Sequence, residues 1–207
     1  MNRTASATFI DTLAARTDTH HWAIKGAAML FVAVLTAAAA QLSVQLPFTE
    51  VPFTLQPMVV LLGGLALGSR LGLGSQVLYL FAGIAGLPVF APSPVLPPGA
   101  LRLIGPTGGY LLAYPIAAWL VGALAERGLD RRYVSSVAAM LAGLAVIYAC
   151  GTFWLAFVAR TAAQTPMGLQ AALAAGVYPF VIADVLKLLA AAGISPTLWR
   201  LVGPAKR

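Results

Sequence analysis

The sequence predicts an all-α integral membrane protein of six transmembrane helices, and three observations carry that reading. Of 207 residues, 60% are hydrophobic and only 9% charged, with a mean hydropathy of +0.87, whereas soluble domains carry about 25% charged residues. Apolar blocks long enough to cross a hydrocarbon core as helix, about 20 residues each, recur along almost the whole chain. The lysines and arginines, finally, gather on one side of those blocks. Residues 1–22 read as a polar N-terminal tail and residues 23–207 as a single membrane domain, with no stretch left for a separate soluble unit.

Apolar runs set against Pro, Gly and charged breakers place the spans in order. The first runs from Gly26 to Leu46, after Lys25 and before Pro47. The second runs from Val51 to Leu67, before Gly68, and the third from Leu71 to Phe90. A Pro/Gly-rich segment, "APSPVLPPGALRLIGPTGG", then interrupts the helical pattern; it is too apolar for an ordinary wet loop and reads as a structured outer loop. The fourth span runs from Thr107 to Ala125, the fifth from Val134 to Val158 and the sixth from Ala172 to Ala192. "AAMLFVAVLTAAAAQ" mimics a secretory signal with an Ala-x-Ala before Gln41, but its polar lead-in is long and everything downstream is membrane-embedded, so no cleavage is expected.

With both ends on one side, that side holds Arg3, Arg16, Lys25, Arg70, Arg127, Arg131, Arg132, Arg200, Lys206 and Arg207. The other holds Arg102 and Arg160, and Lys187 lies within a span. The positive-inside rule then sets both termini in the cytoplasm, in a multi-pass protein of the cell membrane. It also accounts for a net charge of +7 without nucleic acid, since no basic run is interleaved with aromatics. "PFTEVPFTLQP", the 91–106 segment and "ARTAAQTPM" fall outside. Irregular backbone at membrane depth is tolerated only where protein or a cavity surrounds it, so these turns read as the lid of a pocket.

Asp184 and Lys187 lie within the oily sixth span. An ionisable group at mid-bilayer costs about 2.5–3.5 kcal/mol, and residues three apart share a helix face. The pair is either a self-neutralising staple or a recognition element facing a polar ligand. An ionised Asp accepts N–H bonds and Lys donates to an oxygen, so a ligand offering both donors and an acceptor fits. Gln56, Arg102, Thr107, Tyr110 and Tyr178 are further polar candidates near the same outer half. "IGPTGGY" lacks the Lys and Ser/Thr of a phosphate loop; Gly108 and Gly109 instead permit close backbone approach. No Ser/His/Asp set and no His/Cys cluster exists, His20 and His21 have no partner at ligand spacing, and Cys150 reads as a buried inert thiol. No enzyme, metal site or cofactor is expected. Gly64, Gly68 and Gly72, and Ala33 with Ala37, are small-residue spacings for close helix packing; the Ala pair is the better candidate for an external partner.

"LPFTEVPFTLQPMVVLLGGLALGSRLGLGSQVLYLFAGIAGLPVFA", "GPTGGYLLAYPIAAWLVG" and the Asp184-x-x-Lys187 motif together resemble the BioY family, the biotin-specific substrate-binding subunits of energy-coupling factor transporters. The resemblance runs from about Leu46 to Lys187. It implies a six-helix protein that captures biotin near the outer face. Asp184 would then accept from the ligand, Lys187 donate to it and Arg102 help neutralise its carboxylate, with the "GPTGGY" loop contributing. It also implies a transmembrane coupling protein and two ATP-binding subunits as partners, met through the Ala33/Ala37 face. The 92–101 segment "PSPVLPPGAL" departs from the Gly-rich stretch of the family. A proton- or ion-coupled secondary carrier is the rival reading, but the inverted repeats it requires are not found.

Overall fold

The computed structural model describes residues 8–14, 21–93, 96–159 and 165–202. His20, Arg160 and the terminal charges Arg3, Arg16, Lys206 and Arg207 lie outside them. Among the described residues the regular elements are helices: α1 (Phe9–Ala14), α2 (His21–Gln41), α3 (Gln56–Leu67), α4 (Ser69–Ile84), α5 (Leu101–Ile104), α6 (Gly108–Ala125), α7 (Tyr133–Phe157), α8 (Leu169–Gly176), α9 (Val181–Ala191) and α10 (Ile194–Val202). A short 3-10 turn, Leu129–Arg131, precedes α7. Val44 and Phe53 form an isolated antiparallel bridge across the connection from α2 to α3. Four stretches are long and apolar enough to cross a membrane: His21–Gln41, Gly108–Ala125, Tyr133–Phe157 and Val181–Arg200.

Helix α6 is the centre of the bundle, packed against α3, α4 and α7. Its sequence explains this: Ala113, Ala117, Ala118, Val121, Gly122 and Ala125 leave little side-chain volume, so neighbouring backbones close on it. Helices α3 and α4 form a hairpin turned on one residue, Gly68, whose φ of 82° and ψ of −179° suit a residue without Cβ. Gly64 and Gly72 flank that turn, close enough that a Cβ on Gly72 would lie 3.2 Å from the Gly64 Cα. The glycine repeat is therefore an intramolecular packing device.

The sixth span departs from the sequence expectation. Instead of one helix over Ala172 to Ala192, the chain forms α8 and α9 with turns over residues 177–180. Pro179 has no N–H to donate and clashes with a continuing helix. The C-terminal carbonyls of α8 find other donors: Thr49 Oγ1 reaches Ala175 O at 2.7 Å, and the Tyr110 hydroxyl reaches Gly176 O at 3.0 Å. Asp184 consequently sits in the first turn of α9, where the helix dipole favours a negative charge.

The polar leader also differs from an unstructured tail where it is described. At Phe9–Ala14 it is helical, with Thr8 and Asp11 exchanging side-chain and backbone hydrogen bonds and Asp11 paired to Lys25 at 2.6 Å. Burial alone would push the Asp11 carboxyl up, but the bonds from Lys25 and Thr8 outweigh it and hold the group below its ordinary value. At the same end of the bundle Glu126 Oε1 accepts from the Ser69 N–H and hydroxyl at 2.8 and 2.7 Å, capping α4. Trp199 of α10 stacks edge-on against Phe9 and donates to Asp130 at 2.5 Å.

The bundle's tolerance for volume is thus expected to be site-specific. A methyl group at Gly122 would overlap the Gly68–Ser69 backbone, whereas Gly26 has nothing within 4 Å. Gly122→Ala is expected to lower stability by about 1–3 kcal/mol and Gly26→Ala not to lower it, both read as thermal unfolding midpoints in detergent.

Candidate substrate site

The connections after α2 and α4 and the break between α8 and α9 meet over one cavity of about 470 Å³. Its walls are apolar: Phe53 stacks on Phe180 with ring centroids 6.2 Å apart, and Phe90 and Tyr114 both pack against Tyr79. Asp184, Tyr148, Thr107, Tyr110, Gln56 and Arg102 also line the cavity, as do the polar residues Glu50 and Thr49. An apolar cavity with a few fixed polar groups is the ordinary form of a small-molecule site.

Asp184 is the most constrained of them. It is only 6% exposed, and each carboxylate oxygen has its own donor: Lys187 Nζ on Oδ1 at 2.6 Å and the Tyr148 hydroxyl on Oδ2 at 2.7 Å. Lys187 in turn donates to the Thr54 carbonyl at 2.7 Å and lies 3.7 Å from the Phe53 ring centroid. The ammonium therefore ties α9 to the connection before α3, combining an ion pair, a hydrogen bond and a cation–π contact.

At another part of the cavity, Arg102 of α5 is 6% exposed and donates from Nη1 to Leu96 O at 3.3 Å. Burial draws its guanidinium below the ordinary arginine range, with Tyr79 acting the other way. Gln56, the first residue of α3, is buried and donates to the Tyr79 hydroxyl at 2.7 Å, which reaches Val89 O at 3.3 Å. These bonds brace α3, α4 and the start of the 89–106 segment against one another. Pro106 and Thr107 lead into α6, and Trp154 Nε1 holds Gly105 O at 2.9 Å.

The structure thus brings Asp184, Arg102, Thr107, Tyr110 and Gln56 to one cavity. Lys187 stands behind Asp184 and outside the lining itself. Gly108 and Gly109 do not line the cavity either: a Cβ on them would collide with Leu103 O and Trp154, so they seat α6 against α5 and α7. Tyr178 is 63% exposed on the surface, because the turn that breaks the sixth span rotates it away. Ala33 is buried and Ala37 packs on the core, while Phe31 and Val34 form the exposed side of α2.

Tyr148, Phe53 and Phe180 escaped the sequence reading. Tyr148 was visible only as a lone hydroxyl deep within an apolar span, and nothing in its spacing links it to Asp184 on another helix. A sequence profile of the BioY family matches residues 12–204. The chain belongs to the BioY family. It is 42% identical over 170 residues to the "Probable biotin transporter BioY" of Pyrococcus horikoshii, covering 82% of this chain and 91% of that protein. It is 37% identical over 158 residues to the "Biotin transporter BioY" of Thermotoga maritima, covering 76% and 86%. Its fold is similar to the 2.1 Å crystal structure of the S-component for biotin from an ECF-type ABC transporter, with a TM-score of 0.77, 23% identity and coverage of 90% and 96%. In this BioY-family membrane protein the Asp184–Lys187 pair belongs to a stretch, Val181–Arg200, that is long and apolar enough to cross a membrane, with Lys25–Asp11 the other described pair.

Removing one member of a buried pair strands the other charge. Lys187→Met is therefore expected to lower stability by about 3–5 kcal/mol, seen as a lower thermal midpoint without ligand. Asp184→Asn combined with Lys187→Met is expected to recover part of the loss, since no unpaired charge remains.

Proposed function

We propose that this chain is the biotin-binding subunit of an ECF-type vitamin transporter, capturing biotin in the cavity bounded by α3, α5, α6, α7 and α9. The observation that carries it is the pinned Asp184 carboxylate within an apolar chamber that also receives a buried arginine. Biotin offers ureido N–H donors, an apolar thioether ring and a valerate carboxylate. The ureido group donates to Asp184, the ring lies among Phe53, Phe90 and Phe180, and the carboxylate lies toward Arg102. The relatives named as biotin transporters support the choice of ligand over other cyclic ureas, and the role is binding and transport.

In this reading the cavity end faces outward. The opposite end, with Arg70, Arg127, Arg131, Arg132 and Arg200 exposed, faces the cytoplasm together with both termini, as the positive-inside rule requires. Uphill uptake needs an energy source outside this chain, which has no phosphate loop. A transmembrane coupling protein and two ATP-binding subunits supply it. The face turned outward on α2, including Phe31 and Val34, is the surface available for that contact, the Ala33/Ala37 pair lying behind it.

Equilibrium titration of biotin into detergent-purified protein tests the assignment. Wild type is expected to bind without ATP or an ion gradient, and Asp184→Asn to bind at least about a hundredfold more weakly, as loss of charge-assisted bonds implies. Arg102→Gln is expected to weaken biotin more than biotin methyl ester, which has no charge to lose. Absence of biotin binding by wild type, or equal losses for acid and ester, would defeat the ligand or its orientation respectively.

A further inference from the structure

Tyr148 occupies a position that the charged pair alone does not explain. Lys187 sits on the same helix as Asp184, three residues on, so its bond to the carboxylate stays within α9, and its reach to other chain is through the Thr54 carbonyl. The Tyr148 hydroxyl comes from α7 and holds the other carboxylate oxygen at 2.7 Å. The residue also lies between two spaces: it lines the substrate cavity and, on its other side, a crevice of about 310 Å³ between α7 and α8. That crevice is bordered by Phe153, Phe157 and Leu169, each more than half exposed, and in a membrane protein this is a lipid-facing surface.

We propose that Tyr148 is the positioning residue of the substrate site. Its hydroxyl holds the Asp184 carboxylate in the orientation that receives a ureido N–H, and its ring closes the cavity against the lipid-facing crevice. A carboxylate has about four acceptor positions; one on each oxygen is used by Lys187 and Tyr148, and each oxygen keeps one for ligand. Without the hydroxyl, the Lys187 bond still holds Oδ1 but Oδ2 loses its donor from α7, so the plane of the carboxylate is less well fixed. The aromatic body, by contrast, acts by volume alone, so the two roles separate in Tyr148→Phe, which deletes one oxygen and leaves the partition in place.

This inference rests on the biotin reading, and a double-mutant cycle tells the two apart. Biotin affinity is measured by titration for wild type, Tyr148→Phe, Asp184→Asn and the double variant, with thermal unfolding as the check on folding. Tyr148→Phe is expected to weaken biotin about ten- to hundredfold, the usual effect of one bond to a charged group. Because Tyr148 acts through Asp184, the double variant is expected to bind within about threefold of Asp184→Asn alone. Unchanged affinity in Tyr148→Phe would overturn the proposal, as would losses that multiply in the double variant. A Tyr148→Phe protein without a cooperative unfolding transition would assign the hydroxyl to the fold and overturn it as well. If wild type fails to bind biotin, the ligand assignment falls and takes this role with it.

Discussion

Two opposite charges inside a membrane-spanning bundle persist only while their hydrogen-bonding capacity is used, and much of this fold is arranged to use it. Asp184 takes one donor from its own helix and one from α7, while Lys187 spends its protons on Asp184 and on the Thr54 carbonyl. Four separate pieces of chain are thereby held at one point: α9, α7, the connection before α3 and, through the stacked rings, the turn before α9. The desolvation penalty of a buried pair is offset only with good geometry and further hydrogen bonds. Both conditions hold here, and they leave a carboxylate edge on the wall of a chamber instead of against lipid.

Shape at the chamber comes from breaks, not from regular helix. Pro179 ends α8 early, and the freed carbonyls of Ala175 and Gly176 are taken up by Thr49 and Tyr110. The same bonds that repair the break hold the connection after α2 and the start of α6 in place. Glycines do the complementary work at the far end, where Gly122 lets α6 close on the Gly68 turn. A backbone interruption near one face and close helix packing near the other give a bundle that is tight below and open above its cavity.

The legible parts of this arrangement were those with a local cost. Asp184 and Lys187 stood out because ionisable groups are rare in an apolar span, and the Pro-rich connections stood out because they cannot lie bare in lipid. The glycine repeat at Gly64, Gly68 and Gly72 is recognisable as a packing motif. What was illegible depended on contacts between helices. Tyr148 looks like any interfacial or core tyrosine until α9 is laid beside α7. The break over residues 177–180 was hidden because the residues around Pro179 are as apolar as the helix they interrupt. Gly108 and Gly109 are legible as glycines that let backbone approach a ligand or another helix, and the neighbours they admit are the backbone of α5 and the Trp154 side chain of α7. Ala33 and Ala37 have the spacing of a contact surface, but which face of α2 turns outward is decided by packing on α3 and α4.

The central claim is that the carboxylate of Asp184 has a solute for a neighbour. A structure of the protein with biotin bound, at a resolution that places the ureido ring, tests it most directly. The expected result is a ureido nitrogen within about 3 Å of an Asp184 oxygen, with the Tyr148 and Lys187 bonds still in place. Biotin seated elsewhere, or seated in the cavity with no polar atom reaching Asp184, would contradict the account.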